Sequence, residues 1–97
     1  RRKGVKFMAN SKIVTYDLRA PGKNYNGLYE KIKSYTAWAH IQESVWYIST
    51  PDSCVSVRDH LKTEIDSNDS LFVAELTGSA AWTGLNDKTG AYLKEHL

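Results

Sequence analysis

Three side chains at the end of the first apolar run, Asp17, Arg19 and Lys23, have the chemistry to address a phosphodiester. Asp17 follows Lys12-Ile13-Val14-Thr15-Tyr16, a run rich in β-branched and aromatic residues, and precedes Pro21-Gly22. It therefore stands at the C-terminal end of a predicted strand, just before a loop. A carboxylate there can hold a divalent ion, because Mg²⁺ often needs only one or two protein carboxylates and takes its other ligands from water and phosphate. Mg²⁺ or Mn²⁺ bound by Asp17 would activate water and stabilise charge developing on phosphate, while Arg19 and Lys23 hold the substrate backbone. Ser44 joins this set if the chain returns it beside Asp17, where its hydroxyl would orient water or phosphate. In a two-fold dimer, two copies of Asp17 could face each other. The competing reading is structural, with Asp17 bonded to backbone N–H groups of the 18–22 turn.

Other chemistries find little support. His40, His60 and His96 lack the i, i+4 spacing of a helical zinc site. Cys54 reads as a buried first-turn residue, and a nucleophile would need a histidine beside it. Ser44 and Ser53 lie in no nucleophile-elbow motif. Pro21-Gly22-Lys23 is a turn first and a phosphate contact only by hypothesis. The single cysteine excludes an internal disulfide and a multi-cysteine zinc cluster, which fits a reducing compartment.

The chain has 97 residues, with 13 Lys and Arg against 11 Asp and Glu. It opens Arg1-Arg2-Lys3-Gly4-Val5-Lys6-Phe7 before Met8. Arg, Lys and Gly can all be written in purine-only codons, so this stretch reads as a translated ribosome-binding site. Residues 1–7 are expected to be a non-native extension, with 8–97 as one domain; a basic arm touching nucleic acid is the other reading. Without Arg1, Arg2, Lys3 and Lys6, 9 basic residues face 11 acidic ones, a net of −2 rather than +2. Total charge then gives no argument for duplex binding. No signal-peptide pattern follows Met8 and no apolar run approaches the ~20 residues of a membrane span. The expected location is the cytoplasm, with no membrane partner.

These residues need elements to position them. After the first strand, Tyr25, Leu28, Tyr29, Ile32 and Tyr35 recur at helical spacing, with Asn24 as a suitable N-cap. Residues 38–42 and 44–49 read as two strands of a hairpin around Gln42-Glu43-Ser44; a single long strand with a bulge competes. Ser53 caps a second helix carrying Cys54, Val57, Leu61 and Ile65 on its buried side. Asp66-Ser67-Asn68-Asp69 is turn chemistry, and residues 71–76 form a fourth strand. Residues 78–87 are a loop, and 88–97 are weakly helical. The order predicts an α+β, ferredoxin-like βαββαβ fold: a four-stranded antiparallel sheet with two helices on one face, plus a C-terminal extension. Trp38, Trp46 and Tyr47 are too apolar for a solvated face, so they are expected to form a homodimer interface on the open side of the sheet.

The stretch Ile13-Val14-Thr15-Tyr16-Asp17-Leu18 resembles the hydrophobic-Tyr-Asp-Leu first strand of the small Cas-two type CRISPR-associated proteins and the virulence-associated VapD proteins. Asp17-Leu18 to Pro21-Gly22, with Tyr25, Leu28 and Tyr29, is still closer to a group of short phage and bacterial relatives. Glu43-Ser44-Val45-Trp46 is similar to the Ser-Val-aromatic segment of that superfamily, and Asn68-Asp69-Ser70-Leu71-Phe72-Val73 to its acidic turn into the last core strand. The resemblance spans about residues 11 to 85 and lies in the order and spacing of short motifs. It implies a ferredoxin-like homodimer in which Asp17 occupies the position of a ribonuclease's metal-binding aspartate. It equally admits a structural subunit without nuclease activity. The function expected is therefore that of a small dimeric nucleic-acid-related protein, either a metal-dependent endoribonuclease acting on RNA or a non-catalytic scaffold for a protein partner.

Overall fold

β-Branched and aromatic residues with period-two alternation build the first strand, β1 (Ser11–Asp17), which buries Lys12, Val14 and Tyr16. The computed structural model describes residues 10–19 and 24–97. The expected extension at 1–7 lies outside the described residues.

Helix α1 (Asn26–Ile32) follows, burying Leu28 and Ile32. Its N-cap is Tyr25 rather than Asn24. Asn24 turns the chain one step earlier, its Oδ1 accepting the Asn26 N–H at 2.8 Å. The helix stops short of Tyr35, and Ser34 Oγ donates to the Lys31 carbonyl at 2.6 Å, satisfying a last-turn acceptor. Strands β2 (Ala37–Gln42) and β3 (Val45–Ser49) form the predicted hairpin, with a register irregularity between His40 and Gln42. Helix α2 (Cys54–Leu61) begins where Ser53 Oγ accepts the Ser56 N–H at 3.0 Å, and a 3-10 turn extends it over Lys62–Glu64. Strand β4 (Ser70–Glu75) precedes helix α3 (Asp87–His96), whose cap Asn86 accepts the Thr89 N–H at 2.8 Å.

The fold is α+β. The four strands form one sheet in the order β2-β3-β1-β4, and each neighbouring pair is antiparallel. Val14 lies opposite Trp46 on one side and Val73 on the other. That register sets Val14, Tyr16, Trp46 and Ile48 on one face, where Leu28 and Ile32 of α1 and Val57 and Leu61 of α2 complete the core. Lys12 shares this face and is 1% exposed. Its Nζ donates to the Thr50 carbonyl at 3.1 Å and lies 3.9 Å from Glu75 Oε2.

The second face is not left to a partner alone. Tyr47 points there, and α3 lies over it. Tyr92 meets the Tyr47 ring edge-on at 5.8 Å, and Tyr47 Oη donates to the His96 carbonyl at 3.3 Å and bonds Ser11 Oγ at 2.8 Å. Period-two alternation thus splits the expected interface trio. Trp46, 1% exposed, lies beneath the helices, and Tyr47, 1% exposed, lies beneath α3; only Trp38, at 39%, keeps surface that a second chain could meet.

Candidate functional site at the end of the first strand

Asp17 ends β1 opposite Ser70 of β4, with its side chain exposed. Arg19 folds back onto it: Nη2 lies 3.0 Å and Nε 3.1 Å from the same oxygen, Oδ2. The backbone N–H of Arg19 is held by Asp69, donating to Oδ1 at 2.7 Å. Asp69 also accepts the Asp66 N–H at 2.8 Å and the buried Tyr25 hydroxyl at 3.1 and 3.3 Å. One carboxylate thereby joins the end of β1, the start of α1 and the turn before β4. Among the described residues, Asp17 pairs with the Arg19 guanidinium; residues 20–22 of the turn, whose N–H groups were its other expected partners, lie outside the described residues. Lys23 lies outside the described residues.

Ser44 comes back to this end of the sheet. Its carbonyl accepts the Tyr16 N–H at 3.2 Å, one residue short of Asp17. Asp69 is the residue that reading for chemistry passed over. Its sequence signal was turn chemistry in 66–69, but its long reach depends on Asp17 pairing with Ser70, a contact no local pattern reveals.

Among the described residues, no group of three or more His, Cys, Asp or Glu is arranged to hold a metal. An ion at Asp17 would use Oδ1 and water, since Oδ2 carries Arg19. A lone carboxylate with water suits hard cations such as Mg²⁺ or Mn²⁺.

Behind this rim lies an aromatic stack. Trp46 Nε1–H donates to Tyr16 Oη at 2.9 Å, and the Tyr16 hydroxyl donates to the Glu43 carbonyl at 3.4 Å. Burial raises the Tyr16 pKa above its ordinary value, and the Trp46 donor offsets part of that. Tyr29 stacks on Trp46 at 6.1 Å between centroids, and His40 lies nearly parallel to Trp46 at 3.9 Å. Trp38 leans on Trp46 at 5.7 Å, with Lys33 Nζ 5.3 Å above the Trp38 ring. The other histidines sit apart: His60 meets Tyr35 edge-on, and His96 stacks on Tyr92. Cys54 is half-buried at the start of α2.

On the opposite face, a cavity of about 280 Å³ lies between the sheet and the C-terminal segment, lined by Ile13, Val45, Leu76, Trp82, Leu93 and Leu97 among others. Among the described residues, no helix is long and apolar enough to cross a membrane. No protein-family model matches the chain, and no curated protein matches it.

Proposed function

We propose that this chain is a small nucleic-acid-related protein of the Cas-two and VapD type, a homodimer in which Asp17 serves a metal-dependent endoribonuclease acting on single-stranded RNA. The observation that carries this reading is the Asp17–Arg19 pair, an exposed carboxylate and a guanidinium fixed together at the end of β1. Asp17 would hold Mg²⁺ or Mn²⁺ through Oδ1. Arg19 would take a phosphate oxygen, its backbone N–H already held by Asp69. The ion, when bound, supplies a Lewis acid that activates water. Ser44, returned by the hairpin turn, would orient the substrate. The sheet order β2-β3-β1-β4 with antiparallel neighbours and α1 and α2 on one face supports a ferredoxin-like arrangement. Phe72, 63% exposed on β4, offers apolar surface for self-association.

The second reading is a non-catalytic dimeric scaffold. It is favoured by the way Arg19 already balances Asp17 while Asp69 secures the turn, an arrangement complete without a ligand. One substitution separates the two. Under the first reading, Asp17→Asn lowers cleavage of single-stranded RNA in Mg²⁺ or Mn²⁺ by orders of magnitude and leaves folding intact. Absence of cleavage by the wild type in either metal, or equal cleavage by both proteins, leaves the scaffold. Sedimentation equilibrium at micromolar concentration tests the dimer, and a monomer mass alone would reject it.

A further inference from the structure

We propose that β2 carries a stacking platform for the bases of a single-stranded nucleic acid, formed by Trp38 and His40 with the Lys33 ammonium beside them. The proposal rests on the nucleic-acid reading above but not on catalysis at Asp17.

Strand geometry makes the platform. Trp38 and His40 lie two residues apart on one face of β2, an edge strand, so both rings project the same way about 6.6 Å apart along the backbone. Both residues are exposed, while Trp46 behind them is buried. His40 is exposed and lies nearly parallel on Trp46, which also stacks with Tyr29 at 27°. Its orientation is fixed, because Nε2 lies 3.1 Å from the Glu43 carbonyl. A carbonyl only accepts, so Nε2 carries the hydrogen. A base laid on His40 would therefore extend an existing stack without ordering a mobile ring.

Charge selects the occupant. Lys33 sits 5.3 Å above the Trp38 ring, and among the described residues no carboxylate is paired with it. A flat π-face beside a cation suits a ligand that is both planar and anionic, which a nucleotide is and an apolar peptide is not. Aromatic stacking with a nearby cation binds single strands with little sequence preference, since every base has a π-face. The Glu43-Ser44 turn links the platform to the β1 rim, Glu43 through His40 and Ser44 through Tyr16. A strand leaving the platform along that turn runs toward Asp17.

The test titrates a fluorescein-labelled uridine 12-mer and an abasic 12-mer of equal charge, in chelator, into the wild type, Trp38→Leu and Trp38→Phe. The expected result is binding of the uridine strand about tenfold tighter than the abasic one. Trp38→Leu removes that preference and Trp38→Phe restores most of it. Equal affinity for the two strands, or a Trp38→Leu protein with wild-type preference, overturns the proposal. Association of the protein with itself that depends on Trp38 and excludes the oligonucleotide also overturns it, marking a protein-docking face instead. Cleavage of the same uridine strand by the wild type and Asp17→Asn reports separately on the nuclease reading.

Discussion

Asp69 ties three parts of the chain that are far apart in sequence, and its removal should be felt as stability. Asp69→Ala strips an acceptor from the Arg19 and Asp66 amides and leaves the buried Tyr25 hydroxyl without its carboxylate. The expected cost is about 1.5–3 kcal/mol, the range for hydrogen bonds to a charged group. Asp17→Asn breaks only an exposed ion pair and should cost at most about 1 kcal/mol. Urea unfolding followed by tryptophan fluorescence compares the two, and a larger loss for Asp17 would reverse their roles. The sequence singled out Asp17 and Arg19 because strand-end position and charge are local properties. The role of Asp69 was hidden because it depends on a strand pairing across some fifty residues, and that of His40 because a stack on Trp46 depends on register.

At the scale of elements, α3 is the piece that changes how the sheet is used. Its cap is Asn86 and its inward residues are Tyr92 and Leu93. Asn86→Ala should cost about 0.5–2 kcal/mol, and hydrogen exchange should rise first in 90–97, leaving β1 and β3 protected. Uniform loss of protection would mean that α3 opens only with the core. The strands and α2 were legible because alternation, Ser53 and the 66–69 turn act locally. The docking of α3 was not: a weakly amphipathic tail can cover its own sheet or a partner's, and periodicity does not say which. The same limit explains the split of Trp46 and Tyr47. Adjacent strand residues face opposite ways, so two apolar neighbours never share one face.

For the whole molecule, the buried and half-buried tyrosine hydroxyls predict an alkaline limit. Tyr16, Tyr35 and Tyr92, on different parts of the fold, all have pKa values raised from the ordinary 10.0, each chiefly by burial. The unfolded chain ionises these groups first as pH rises. Above about pH 10 the folded state therefore binds more protons than the unfolded one, and stability falls. Below that value the tyrosines contribute no pH dependence. Thermal melts from pH 8 to 11, with tyrosinate absorbance recorded in parallel, should show a flat region and then a decline. Tyrosinate appearing at full amplitude before any loss of structure would contradict this.

Lys12 turns the centre of the sheet into a chemical clock. Its amine is enclosed on a central strand and donates to the Thr50 carbonyl, so an acylating reagent cannot reach it in the native state. Lys62, on the surface, is open to the same reagent. Under brief acetic anhydride treatment, Lys62 should be modified at once and Lys12 only as fast as the sheet opens as a unit. Mass spectrometry of that single amine would then give the rate of global opening under native conditions, with no denaturant.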